Sequence, residues 1–207
     1  MNTEVRSLDP SHPDASVLEH GAHCLWRGGL VAFPTETFYG LGANATDRRA
    51  VARVFEVKGR PQSKPLLVLV DSPKMAESLA LEVPDLARRL MATYWPGPLT
   101  LVFQASPELP AELGAGTGTV GIRMPGQPVA RALVRAAGIP ITAPSANPSG
   151  AEPPTTAAAV RQFFEGTVDL ILDGGPTPGG RPSTILDLSV SPPRLLRAGA
   201  VEIPGFR

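Results

Sequence analysis

Apolar residues along this chain recur at two spacings, one typical of α-helices and the other of buried strands. Helical spacing first marks residues 14–29, where a glycine pair ends the pattern. Prolines and capping residues indicate where the later helices begin and end. Proline fits the first turn of a helix but interrupts its interior. Further helices are predicted from Asp47 to about Val57, from Ser72–Pro73 onward, and over about Asp85–Tyr94, Pro128–Gly138 and Thr156–Phe164.

Short continuous apolar runs between glycines, prolines and polar residues predict the strands. These runs are LVAF, PLLVLV, LTLVF, VGIRM, IPITA, LILD, STILDL and RLLRA. Strands and helices mix without strict alternation, and the sequence contains no internal repeat. The pattern predicts an α/β or α+β fold, in which a mixed sheet carries helices on its faces. A length of 207 residues favours a single domain.

Composition narrows the classes of function. Lys plus Arg and Asp plus Glu each total 19, and only 5% of the residues are aromatic, which disfavours an extended nucleic-acid surface. Cys24, the single cysteine, excludes an internal disulfide framework and a cysteine-based zinc cluster. The N-terminal residues lack the apolar core of a signal peptide, and the longest apolar run, Leu66–Val70, is too short to span a bilayer. We therefore expect a cytoplasmic protein without membrane contact.

Candidate chemistry lies where polar residues interrupt buried strands. Four segments stand out, at residues 35–42, 58–65, 143–150 and 179–185. Taken singly, each is compatible with an ordinary turn or solvated loop, and Arg123 is compatible with simple pairing to a carboxylate. Together they predict a concave site for a polyanion such as a nucleoside triphosphate. The cations are Lys58, Arg60, Lys64, Arg123, Arg181 and Arg197, and the neutral groups are Thr35, Ser145, Asn147 and Ser183.

Seven motifs between residues 34 and 199 resemble those of the YrdC-type threonylcarbamoyl-AMP synthases, a family of nucleotidyltransferases. In chain order they are PTETFYGLG, KGRPQSKPL, WPGPLT, VGIRMP, APSAN, STI and LLRAG. The resemblance implies a YrdC-like, twisted and largely open mixed sheet around a deep basic cavity. It also implies synthesis of threonylcarbamoyl-AMP and pyrophosphate from L-threonine, bicarbonate and ATP. A downstream transferase would then pass the threonylcarbamoyl group to tRNAs that read codons starting with A.

The resemblance also implies a role for each matching residue. Lys58 and Arg60 would be catalytic and would bind ATP, whose phosphates would carry most of the contacts to Mg²⁺. The full set for ATP is Lys58, Arg60, Thr119, Ser145, Asn147 and Arg197. Within it, Lys58, Arg60, Ser145 and Asn147 would bind the phosphates. The set for L-threonine is Thr35, Arg123 and Ser183. Two departures from the family stand out. Leu69 replaces a histidine that some members carry, and residues 1–207 form the expected single domain without an additional C-terminal domain.

Two other functions are compatible with such a fold. One is a double-stranded RNA-binding relative without synthase activity, and even a synthase could make a weak contact with tRNA or other RNA. The other is a carbamoyl-transfer domain like that of hydrogenase maturation proteins, which is disfavoured because acylphosphatase-like and zinc-finger segments are missing from the sequence. Residues 148–156 contain three prolines and Gly150, and we expect them to act as a semi-rigid flap over bound substrates.

Overall fold

The computed structural model describes residues 2–206, and every predicted helix and strand is present in it. The helices are α1 (Ala15–Trp26), α2 (Arg48–Lys58), α3 (Pro73–Leu79), α4 (Asp85–Tyr94), α5 (Pro128–Ala137) and α6 (Ala157–Phe164). The strands are β1 (Glu4–Ser7), β2 (Val31–Pro34), β3 (Tyr39–Gly42), β4 (Leu67–Leu69), β5 (Leu99–Gln104), β6 (Thr119–Arg123), β7 (Ile141–Thr142), β8 (Leu170–Asp173), β9 (Thr184–Asp187) and β10 (Arg194–Arg197). A 3₁₀-helix covers Ala111–Gly114. The predicted domain end at Arg207 lies just outside the described residues.

Capping residues begin the helices where the sequence indicates. The Asp47 carboxylate accepts a hydrogen bond from the Arg49 amide at 2.8 Å, and the Ser72 and Thr156 hydroxyls cap α3 and α6 in the same way. Gly59 ends α2 in the left-handed conformation, with φ of 55°, which a residue without a Cβ adopts at little cost. This turn directs the chain from Lys58 into the polar segment that follows. None of the helices within residues 2–206 has the length and apolar character needed to cross a bilayer.

The strands form two hydrogen-bonded sheets, which confirms the predicted mixed α/β fold. One sheet has the strand order β1-β8-β2-β3, and the other has the order β10-β9-β5-β6-β4-β7. Both sheets combine parallel and antiparallel pairs. Two isolated bridges, Gly40 with Ser145 and Asn44 with Ile141, join β3 of the first sheet to the β7 region of the second. The β2–β3 hairpin therefore lies directly against the loop that follows β7.

At β6, only one face of the six-stranded sheet is completely buried. Side chains alternate between the two faces of a strand, so Val120 and Ile122 point into the core, where both are fully buried. Thr119 and Gly121 point to the other face and are half-buried, and Arg123 ends the strand on that same side. A second hydrophobic cluster packs α1 and α5 against the four-stranded sheet and includes Leu133 and Leu172. The exposed part of β6 leads to the predicted site.

Candidate active site

Lys58, at the last position of α2, connects the helix to the loop that contains Ser145 and Asn147. Its ammonium group donates hydrogen bonds to the backbone carbonyl oxygens of both residues. The carbonyl of Lys58 in turn accepts a hydrogen bond from the Ser149 amide at 2.8 Å. Only 2% of Lys58 is exposed, and this burial, together with the charge of Arg60, lowers the pKa of Lys58 to about 8. The structure thus brings together three of the four residues predicted around the phosphates.

Arg60, the fourth residue, is held by its own loop. Its Nε donates to the Lys64 carbonyl at 3.2 Å, and its Nη2 donates to the Pro65 carbonyl at 2.9 Å. Burial lowers the pKa of Arg60, which nevertheless keeps its charge because an arginine titrates far above neutrality. Asn147 donates from Nδ2 to the carbonyls of Pro148 and Ala151, while its Oδ1 is buried and has no partner within residues 2–206. An unpaired buried acceptor calls for a donor from a ligand or water.

Arg123, at the end of β6, is buried close to a carboxylate that the sequence analysis did not single out. Its Nη2 lies 3.8 Å from Oε2 of Glu36, and only 4% of Arg123 is exposed. Burial lowers the pKa of Arg123, and the charge of Glu36 opposes that change. Among the described residues, both Arg123 Nε and Glu36 Oε2 lack a hydrogen-bond partner. The simple ion pair considered from the sequence is therefore present but leaves donors of the guanidinium free.

Thr35 shapes the turn between β2 and β3. Its hydroxyl donates to the Phe38 carbonyl at 2.7 Å and accepts from the Thr37 amide at 3.2 Å. The residue is buried, and it precedes Glu36, the carboxylate beside Arg123. The start of the predicted polar segment 35–42 is thus a hairpin turn, and Gly40 on the following strand bridges to Ser145. This bridge sets the hairpin beside the loop held by Lys58.

Ser183 and Arg197 belong to one hydrogen-bond network, although the resemblance assigned them to different substrates. Arg197 donates from Nε to the Ser183 carbonyl at 2.9 Å and from Nη2 to the Ser183 hydroxyl at 3.0 Å. The same hydroxyl lies 3.0 Å from that of Thr100. Burial lowers the pKa of Arg197, and the charge of Arg123 lowers it further. The predicted threonine and nucleotide groups therefore meet at this network.

Thr119 lies at the opposite end of β6 from Arg123. Four residues of extended strand separate their backbones by about 13 Å. The Thr119 hydroxyl lies 2.7 Å from that of Thr117, and it is not part of the network around Ser183. Leu69, the departure from the family, pairs with Arg123 across the strands, but its side chain is fully buried in the second hydrophobic cluster. Leu69 therefore contributes no polar contact to the site.

Two cavities are found among the described residues. One, of about 350 Å³, opens beside α1 and is lined by Glu4, His20, Cys24, Arg27, Gly29, Arg53, Asp169 and Leu170. The other, of about 560 Å³, is lined by Arg181, Thr184 and residues of the C-terminal segment. Arg181, one of the predicted cations, thus lines a cavity with residues that follow β10. The deep basic cavity implied by the resemblance remains a prediction.

Comparison with known proteins identifies relatives over most of the chain. A family model described as "Telomere recombination", Sua5_yciO_yrdC, matches residues 23–199. A threonylcarbamoyl-AMP synthase of Pyrococcus abyssi is 48% identical over 177 residues, which are 86% of this chain and 52% of that protein. The Bacillus subtilis threonylcarbamoyl-AMP synthase is 44% identical over 202 residues, which are 97% of this chain and 57% of that protein. The chain thus spans about half the length of these curated relatives.

The fold is similar to that of a solved relative. The structure of P. abyssi Sua5 complexed with L-threonine matches with a TM-score of 0.91 and 44% sequence identity. The match covers 95% of this chain and 58% of the solved chain. All nine residues predicted to bind substrates, from Thr35 to Arg197, fall inside the segment that the family model matches.

Proposed function

Because the chain belongs to the Sua5/YciO/YrdC family, we propose that it is a threonylcarbamoyl-AMP synthase. The observation that carries the proposal is the contact between two groups of residues. Lys58 holds the loop of Ser145 and Asn147, and the bridge from Ser145 to Gly40 sets that loop beside the hairpin of Thr35. A polyphosphate and a small amino acid bound at these two places would be neighbours.

The proposed reaction needs positioning more than it needs a protein nucleophile. The amine of L-threonine adds to the carbon of bicarbonate with loss of water, and an oxygen of the resulting carbamate attacks the α-phosphorus of ATP. Pyrophosphate leaves, and threonylcarbamoyl-AMP forms. Orientation of well-aligned reactants contributes up to about 7–11 kcal/mol, which suits a site that excludes water from a labile carbamate.

We assign the residues to the substrates by their charge and their position in the structure. Lys58 and Arg60 would neutralise the phosphates and the leaving pyrophosphate, with Mg²⁺ entering as part of the MgATP substrate. Arg123 would grip the carboxylate of L-threonine, and Thr35 and Ser183 would contact the rest of the amino acid. Ser145 and Asn147 would complete the phosphate contacts, and Thr119 and Arg197 would contact the nucleotide. The product would pass to a downstream transferase that acts on tRNA.

Pyrophosphate release tests this function directly. We expect release from ATP only when L-threonine and bicarbonate are both present. Calorimetric titration separates the runner-up function, double-stranded RNA binding without synthesis: a synthase should bind ATP and L-threonine, whereas an RNA-binding module should bind neither. Release that is independent of L-threonine would contradict the proposal.

Substrate choice should follow the contacts made by Thr35 and Ser183. Serine lacks one methyl group of threonine, and the loss of such a contact is worth about 1–3 kcal/mol, so we expect kcat/KM to fall about 10- to 200-fold. Glycine should react still more slowly because it lacks the hydroxyl as well. The measurement is pyrophosphate release with each amino acid under equal conditions. Equal rates for the three would mean that the hairpin does not contact the side chain.

ATP affinity should depend on pH through Lys58. Since the pKa of Lys58 in the free protein is about 8, its ammonium loses its proton as the pH rises through that value, and ATP should bind more weakly at pH 9 than at pH 7. Bound phosphates favour the charged form, so binding near pH 8 should take up protons. Calorimetry of ATP alone, in buffers of different ionisation enthalpy, measures this uptake. Lys58→Arg keeps its charge throughout and should abolish the pH dependence; an unchanged dependence would contradict the assignment.

A further inference from the structure

Gly121, in the middle of β6, is a glycine that neither the backbone nor the packing requires. It belongs to an interior strand of the six-stranded sheet, between β5 and β4. Its φ lies outside the left-handed region, so an L-residue can adopt the same conformation. A Cβ at this position would lie 3.5 Å from Thr100 Cγ2 and 3.8 Å from Val102 Cγ2, which are ordinary contacts. Glycine inside a strand usually weakens it, so its presence here needs another reason.

The sheet face at Gly121 is only partly buried. The residue is partly exposed although its strand is paired on both sides, so this part of the sheet face is not completely covered. Thr119 before it and Leu67 across from it on β4 are also half-buried. On the opposite face of the same strand, Val120 and Ile122 are fully buried. We call the half-buried surface formed by Leu67, Thr119 and Gly121 the open strip.

The open strip runs between the two predicted subsites. Thr119, at one end, belongs to the predicted nucleotide group, and Arg123, at the other end of β6, belongs to the predicted threonine group. Gly121 is midway, about 6–7 Å along the strand from each. Resting on the function proposed above, we propose that Gly121 is a positioning residue whose missing side chain leaves room for the reacting carbamate and α-phosphate to meet over the sheet.

A graded series at this position separates the proposal from a structural role. Gly121→Ala adds one carbon, and Gly121→Val adds branches that extend above the open strip. Since valine is favoured in strands, Gly121→Val should leave Tm unchanged or raise it by about 1–4 °C. Threonine-dependent pyrophosphate release should nevertheless fall on the order of 100-fold, as displacement of reactants by about 1 Å is enough to cause. The rate of threonine-dependent pyrophosphate release in Gly121→Ala should lie between the rates of Gly121→Val and the wild type.

Binding of single substrates supplies a second readout. ATP and L-threonine, titrated separately into Gly121→Val, should each bind nearly as in the wild type, because each subsite keeps its own residues. The matched control is Ile122→Val on the opposite face, which should lower Tm without changing turnover. Normal turnover in Gly121→Val would overturn the proposal. A loss of affinity for one substrate alone that is as large as the loss of turnover would overturn it as well. A wild-type protein without threonine-dependent release would instead contradict the proposed function itself.

Discussion

Replacing Lys58 with alanine is expected to reduce threonine-dependent pyrophosphate release by about 10²–10³, the usual effect of removing one preorganised donor from a developing negative charge. Lys58 is almost completely buried, and all its side-chain hydrogen bonds within residues 2–206 go to carbonyl oxygens rather than to a carboxylate. In the proposed site, this positive charge would neutralise a phosphate of ATP. Steady-state kinetics with saturating L-threonine measure the effect.

Lys64→Ala is the matched control for this experiment. The sequence predicts Lys64 among the cations of the site, but in the structure its side chain is exposed. Its contact with Arg60 is made by the backbone carbonyl, which the substitution preserves. Turnover of Lys64→Ala should therefore stay close to that of the wild type. Similar losses in both variants would mean that general charge, rather than the placement of Lys58, governs catalysis.

Arg123→Lys and Arg60→Lys should affect different substrates. Lysine keeps the charge but cannot offer two parallel N–H groups to a carboxylate, so Arg123→Lys should raise KM for L-threonine about 10- to 150-fold, the value of one or two charged hydrogen bonds. Its affinity for ATP should change little. Arg60→Lys should weaken ATP binding and leave the KM for L-threonine nearly unchanged.

The same pair of variants also tests the assignment of subsites. Arg123 lies beside Glu36 at the β2–β3 hairpin, whereas Arg60 lies beside Pro65 in the loop that leads to β4. Full kinetics with each substrate varied in turn give both KM values for both variants. If Arg123→Lys weakened ATP and Arg60→Lys weakened L-threonine, the two subsites would have been exchanged.

Most elements of this fold could be predicted because each has a local signal. Asp47, Ser72 and Thr156 cap their helices through their own side chains, so the sequence predicts where these helices begin. Strand β1 was not predicted, because it is an edge strand with largely exposed residues and no alternating pattern. Strand β3 was not predicted either, since its two glycines are more typical of a turn. Pairing with β2 and with the loop after β7 decides its structure.

The site was harder to predict than the fold, because its contacts join distant parts of the chain. Glu36 and Thr100 were missed, although Thr100 is a polar residue inside the apolar run LTLVF, the same signal that marked Arg123 in VGIRM. Ser183 and Arg197 were assigned to different substrates, yet they bond to each other across the antiparallel pair β9–β10, at the end away from its connecting turn. The order of the motifs along the chain does not predict such contacts. The predicted flap at residues 148–156 remains a prediction, and Pro154 in it already accepts a hydrogen bond from Tyr39.

In the proposed site, Lys58 would couple the ordering of the loop with Ser145 and Asn147 to the binding of an anion. An ammonium group has three N–H donors, and in this structure two of them bind the carbonyls of Ser145 and Asn147. The third donor is enough for a phosphate oxygen, so the lysine can hold its loop and an anion at once. By thermodynamic reciprocity, whatever free energy an anion gains from an ordered loop, the loop gains from the anion. If Lys58 binds the phosphates as proposed, the burial of its charge would be the means by which the loop and the ligand stabilise each other.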